Sequence, residues 1–299
     1  MTRQLLTCLC LFSLTCAVAR ETTPPASDLH QAEAVLPHAD MAFILYLISR
    51  GEHREALFVM EETAPTTAGM ADSLSFFRGW ALYQQKMLRP SATALSEVSA
   101  SSPLYQQARF FAAYNLAHAG DLTKARRVLA ETAASQSGML TSMKQFQLGG
   151  MALLARDYEA FANQSASFTG AYQAFAIQET RLHEHHEALQ RVPSRSPAVA
   201  AMLSAAIPGL GKIYAGKTGE GLAGFFYTMT FMATAYDFYR GSGPQSALFI
   251  LSASVAGIFY AGNIWGSAVS VHRNKHELYH EIDQRILFDL HIPLRNAFN

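Results

Sequence analysis

Three places in the sequence combine residue types and spacings that chemistry could use. The first is Gly211–Thr218, reading GKIYAGKT, which matches the G-x-x-x-x-G-K-[ST] pattern of phosphate-binding loops. That chemistry needs a strand before the loop and a helix after it, so that backbone N–H groups converge on phosphates. Here an Ala-rich, helix-forming run ending in proline comes first, an apolar run follows, and no strand-borne acid is in view for Mg²⁺. The glycines read better as a tight turn with close helix packing, and nucleotide binding through Gly211–Thr218 stands as a remote alternative. The second place is RLHEHHEAL, with His183, His185 and His186 beside Glu184 and Glu187. His183 and Glu187 share a helix face at i, i+4, a spacing open to a metal ion. The favoured reading is a solvated helix surface, with histidines that titrate near neutrality. The third is Asp237 at the end of an apolar run, one turn before Arg240. An intramembrane acid signals function when central; at this end, pairing with Arg240 is expected. No Ser–His–acid arrangement and no metalloprotease motif is visible. The reading is therefore no catalytic residue, no metal, no cofactor and no enzyme.

The elements that would hold these residues follow from where the charge lies. Acidic and basic residues balance at 23 each, so there is no electrostatic case for nucleic acid. Charged residues are only 15% of the chain, and they are unevenly spread. Ser196–Gly211 and Gly221–Tyr236 have none, and Gly241–Val271 has none across 31 positions. Charge-free runs near 20 residues match a bilayer core of about 30 Å at about 1.5 Å rise per residue. Residues 193–272 are therefore expected to form a membrane domain of two or three spans, near 198–214, 221–239 and 245–271. Counting Lys212, Lys217, Arg273 and Lys275 against Arg240 favours three spans under the positive-inside rule. Gly257, Ala261, Gly262 and Gly266 fall at near four-residue spacing, which permits close helix packing in lipid. Residues 273–299 read as an amphipathic tail on the membrane surface.

At the other end, Arg3, an apolar stretch from Leu5 to Val18 and Ala17-Val18-Ala19 have the pattern of a secretory signal over residues 1–19, with an uncleaved anchor as the alternative. Cys8, Cys10 and Cys16 all lie within it, so cleavage removes every thiol. Residues 20–37 read as a linker.

Residues 38–192 are helical in pattern, rich in Ala, Leu, Gln and Glu at three- and four-residue spacing. Four segments share one layout, with Ala56, Ala92, Ala125 and Ala160 at equivalent places 36, 33 and 35 residues apart. The preceding helices carry FILYL, FFRGWALY, FFAAYNLA and FQLGGMALL. With Gly79-Trp80-Ala81, Ala112, the turn glycines Gly51 and Gly120, and Pro65 and Pro103, this resembles the tetratricopeptide repeat. The resemblance implies a solenoid of helical hairpins whose groove binds a protein or peptide. Tyr46, Phe77, Tyr83, Tyr114 and Asn115, on the first helices, are the candidate groove residues. Pro208, Gly209, Gly211, Tyr214 and Gly216 similarly resemble the Pro-Gly-x-Gly-x-x-Tyr-x-Gly hinge of the two-transmembrane domain family. That likeness implies a helical membrane hairpin and no reaction.

The expected fold is all-α: a tetratricopeptide-like helical-hairpin solenoid followed by C-terminal transmembrane helices. The expected function is a membrane-anchored scaffold of a bacterial envelope. Its repeat domain would lie on the extracytoplasmic face of the cytoplasmic membrane, with a protein partner and lipid as its contacts. The alternative is an oligomeric membrane component (a small channel, or one related to lipid or membrane-protein insertion), with homo-oligomer contacts through the spans.

Overall fold

A computed structural model describes residues 36–132 and 138–298. The expected signal at 1–19 and nearly all of the linker at 20–37 lie outside the described residues. Those described form helices and no strand. They divide into two compact units at Thr66/Thr67. The first holds α1 (Leu36–Ser49) and α2 (His53–Glu62), with Ile44 and Ala56 fully buried. The second begins with three further helix pairs: α3 (Ala68–Gln84) with α4 (Leu88–Ser96), α5 (Tyr105–His118) with α6 (Leu122–Ala130), and α7 (Gly138–Leu154) with α8 (Tyr158–Ser165).

All four pairs turn on one backbone device. Gly51, Lys86, Gly120 and Arg156 have positive φ, at 79°, 64°, 82° and 59°. After each, the next residue's N–H reaches back to a helix carbonyl at 2.9 Å: Glu52 to Leu47, Met87 to Leu82, Asp121 to Leu116 and Asp157 to Ala152. The turn residue's own N–H bonds a carbonyl three residues back. This is the Schellman ending, which satisfies carbonyls a helix end leaves over. The turns recur at intervals of 35, 34 and 36 residues. Five residues past each stand Ala56, Ser91, Ala125 and Phe161, all essentially inaccessible. Two expected equivalences, Ala92 and Ala160, are therefore off by one residue. The fourth pair has its left-handed turn at Arg156 without a glycine. A non-glycine residue there costs about 1–2 kcal/mol, which the turn's two hydrogen bonds offset.

The core of the second unit runs through Phe76, Phe110, Phe111, Phe146 and Phe161. Small residues set the helix spacing. A Cβ on Gly79 would lie 2.5 Å from Leu95 Cγ, so α3 and α4 meet at the glycine. α9 (Ala176–Gln190) adds Leu182 and Leu189 to this core.

Beyond Pro193, α10 (Pro197–Ala206) and α11 (Leu210–Tyr214) precede two long helices, α12 (Thr218–Ser242) and α13 (Ala247–Phe298). The segment expected as a span at 198–214 is thus two helices of 10 and 5 residues, broken at Pro208-Gly209. At about 1.5 Å rise per residue neither reaches across a bilayer. Among the described residues one helix, Ala247–Asn296, is long and apolar enough to cross a membrane, and only 17% of its apolar window is buried, unlike the core helix of a soluble protein. α12 is long enough, but its threonines, tyrosines and glycines leave it less apolar. The two or three expected spans thus become one by this measure.

α13 also changes the reading of the C-terminus. It is one helix of 52 residues, so the expected boundary at 272/273 falls inside it. Charge resumes at Arg273, and the part beyond buries Ile286, Leu290 and Leu294 in the core of the second unit. The expected surface tail is instead a docked helix end, because its apolar row meets the aromatic row of α3, α5 and α7.

Candidate functional site

Two of the candidate groove residues meet that docked end. Tyr83 OH lies 2.6 Å from His291 Nε2, and the His291 ring stacks on Tyr114 with centroids 5.2 Å apart and planes 23° apart. Burial lowers the His291 pKa, helped by the nearby charges of Arg295, Lys86 and His118. Burial raises both tyrosines. Arg156, the left-handed turn residue, forms a two-pronged pair with Asp283 at 2.7 and 2.9 Å and lies over the Tyr279 ring. Asp289, nearly inaccessible, accepts from Arg181 at 3.0 Å and meets His185 Nε2 at 2.7 Å. Leu290 sits on Gly150, where a Cβ would lie 2.5 Å from its Cδ2.

The other three candidates are elsewhere. Tyr46 is exposed in the first unit. Phe77 is half-buried, edge-on to Phe76. Asn115 is fully buried and donates to Ser91 Oγ at 2.8 Å, while Ser91 donates to the Gly79 carbonyl at 2.6 Å. Asn115 is a core polar link between α3, α4 and α5, with no access to a peptide. Sequence reasoning missed Arg156, Asp283, Asp289 and His291. The available signal was the helical spacing of Ile286, Leu290 and Leu294.

The hinge residues converge on close backbone packing. Gly209 has φ 84°, and a Cβ there would lie 2.0 Å from the Gly221 carbonyl oxygen. At Gly211 it would lie 1.8 Å from the Ala200 oxygen, and the Gly211 N–H donates to Ser204 Oγ at 3.0 Å. Ser204 Oγ meets Ser267 Oγ of α13 at 2.6 Å. Pro208 is buried beside Gly209. Tyr214 OH accepts from the Ser196 N–H at 3.3 Å. Gly216, at φ 90°, repeats the turn of the four helix pairs, with Gly216 N–H to Ile213 O and Lys217 N–H to Lys212 O, both at 2.9 Å. The nucleotide-loop letters thus spell a helix–turn–helix. Its turn N–H groups are spent on backbone carbonyls, and Lys217 pairs with Glu277.

The expected packing row Gly257, Ala261, Gly262 and Gly266 does not form the seam. Gly257, Ala261 and Gly262 are exposed, with nothing near a Cβ at either glycine, and Gly266 faces Lys212 at 3.5 Å. The seam runs through Ala256, Asn263, Ser267 and Ser270, which are buried. Asn263 donates to the Gly224 oxygen at 2.9 Å and to Thr228 Oγ1 at 2.8 Å. Polar side chains here can bond across the helices, as in lipid-embedded pairs.

The histidine helix disperses its groups. His183 lies against Phe161 and Phe168, His186 against Tyr158 and Phe161, and Glu187 pairs with Arg191 at 2.8 Å. Among the described residues, no three His, Cys, Asp or Glu come together as a metal set. No ion pair joins Asp237 to Arg240 among those residues; Arg240 lies over the Tyr236 ring instead.

Compared with family models, with curated proteins and with solved structures, the chain matches none. The two family likenesses therefore rest on residues and turn geometry alone.

Proposed function

We propose that this chain is a membrane-anchored scaffold of a bacterial envelope, with a tetratricopeptide-like repeat domain carried on a helical hairpin in the bilayer. The observation that carries this is α13. Its first half is apolar and exposed, and its last turns are clamped into the repeat core through Asp283, Asp289, Leu290 and His291. In this reading α12 crosses beside α13. Its threonines return their hydroxyls to carbonyls one turn back (Thr228 to Gly224, Thr230 to Phe226, Thr234 to Thr230) at 2.7–2.9 Å, which hides these donors from lipid.

The clamp also constrains topology. About 12 Å of helix separate Lys275 from Asp283, too little for a bilayer core, so the repeat domain shares a side with Arg273 and Lys275. An even number of crossings follows, in place of three. Four basic residues then stand with the repeat domain and Arg240 at the hairpin tip. We place the repeat domain outside the cytoplasm, because the first hydrophobic segment usually dominates orientation over loop charge.

Tyr83 and Tyr114 are covered, so the partner surface moves to the opposite helices. A groove of about 450 Å³ between α4 and α6 is floored by Ala92, Leu116 and Val128 and rimmed by Arg89, Lys124, Arg127 and Glu97, with Arg89 and Lys124 sharing Asp121 at 3.9 and 3.1 Å. Its mixed rim over an apolar floor suits a segment of a protein partner that carries both apolar and charged side chains. Photocrosslinkers placed at Thr93 and Arg127 in intact cells should trap one dominant envelope protein, and those at Tyr83 should give none. One dominant adduct at Tyr83, with none at Thr93, would sink the assignment.

The exposed stripe Gly257–Ala261–Gly262, unused within the chain, favours a second reading: homo-oligomerisation through α13, with the repeats as accessory. Disulfide crosslinking of Gly257→Cys in membranes tests it.

A further inference from the structure

The polar hairpin seam opens onto a cavity of about 410 Å³ lined by Lys212, Glu220, Tyr227, Ile258, Phe259 and Asn263, among others. This lies within the roughly 300–1,000 Å³ range of small-ligand sites. Its walls are of two kinds. Tyr227, Ile258 and Phe259 are apolar and exposed on the hairpin's outer face. Lys212 comes in from α11 and lies along α13 at Gly266, where an added methyl would be in ordinary contact with its Cε at 3.5 Å. Glu220 comes from the first turn of α12. Among the described residues neither Lys212 nor Glu220 has an ion-pair partner.

The charges themselves point to an occupant. Asn263, 5% exposed, spends its amide nitrogen on Gly224 and Thr228, and its buried Oδ1 lies against Gly224, 2.6 Å from where a Cβ would stand, so this side chain belongs to the seam between the helices. The site thus offers a cation, an anion and a greasy wall.

From these we infer that the cavity binds the headgroup of a zwitterionic aminophospholipid, phosphatidylethanolamine being the fitting chemistry; the inference rests on the membrane reading above. The phosphate faces the Lys212 ammonium. The primary ammonium of the headgroup has N–H donors for Glu220. An acyl chain lies along Ile258, Phe259 and Tyr227. Choline headgroups have no N–H to offer, and glycerol headgroups have no cation for Glu220, so the site discriminates among lipids of equal chain length.

The test uses the full chain in a mild detergent, offered phosphatidylethanolamine, phosphatidylcholine and phosphatidylglycerol of identical acyl chains, with bound lipid read by native mass spectrometry. The expected result is preferential retention of phosphatidylethanolamine, reduced about tenfold by Lys212→Ala and by Glu220→Gln, as for loss of one charge-assisted contact. Equal retention of all three lipids, unchanged in both variants, overturns the inference. So does retention of phosphatidylglycerol that depends on Lys212 alone, which would describe a plain anion site. The membrane fraction of the same cells separates the two readings. Protein recovered soluble without detergent sinks the anchor itself, whereas membrane-bound protein without the lipid preference sinks only this site.

Discussion

The contact between Leu290 and Gly150 offers a sharp perturbation of the clamp. Leu290 is 1% exposed. Its Cδ2, Cδ1 and Cγ lie 2.5, 2.8 and 2.9 Å from where a Cβ on Gly150 would stand. Leu290→Ala removes those atoms and leaves a hole on α7. Deletions of this kind cost about 2–5 kcal/mol, and we take about 3. For a unit of this size that lowers the thermal midpoint by about 6–12 °C. Gly150→Ala alone gains about 1 kcal/mol of helix propensity and loses about 2 by overpacking against Leu290, for a net cost of about 1. In this geometry the methyl introduced at position 150 enters the space that Leu290→Ala vacates. The double variant then costs about 2–3 kcal/mol instead of the additive 4, a coupling of about 1–2. Thermal scanning of the four proteins in one detergent gives the cycle. Hydrogen exchange across residues 283–295 should rise in Leu290→Ala and fall back in the double variant. Additivity within about 0.5 kcal/mol, or a cost below about 1 for Leu290→Ala, would refute the docking of α13 on α7.

Two further outcomes follow from the same contacts. His291 is held neutral by burial, facing Tyr83 and Tyr114 with Arg295, Lys86 and His118 near. Its folded pKa lies below its unfolded value of about 6.5, so its share of stability is complete above that pH and is lost as pH falls through it and the unfolded chain takes the proton first. Thermal midpoints should drop more steeply between about pH 7 and 5.5 in the wild type than in His291→Gln; equal slopes would contradict the assignment. Separately, Mg-ATP at about 5 mM should not raise the thermal midpoint, because the turn N–H groups of Gly216 and Lys217 are already bonded. A site with Kd of about 50 µM would add about 2.7 kcal/mol, so a clear upward shift lost in Lys217→Ala would revive the nucleotide reading.

Local chemistry made much of this protein legible. Helix periodicity is a property of each segment, so the all-α class could be read directly. Glycines at 51 and 120 mark turns because left-handed backbone favours them, and a 31-residue stretch without charge announces a membrane candidate by composition alone. The pairing of faces was not local. Lys86 and Arg156 take the same left-handed turn as Gly51 and Gly120, and nothing in their identity says so; hydrogen bonds to the preceding helix hold them there. Tyr83 and Tyr114 looked like groove residues because their helix faces were apolar, yet the side chain that covers them, His291, lies more than 170 residues further on. The small-residue row at 257–266 is likewise a pattern on one helix, and only the register with α12 and α10 decided that Asn263 and Ser267, a short rotation away, form the seam. Segment by segment, the amino acids determined which stretches are helical and which tolerate lipid. Tertiary structure decided which face meets which, because burial depends on both partners and a helix surface carries only half of that information.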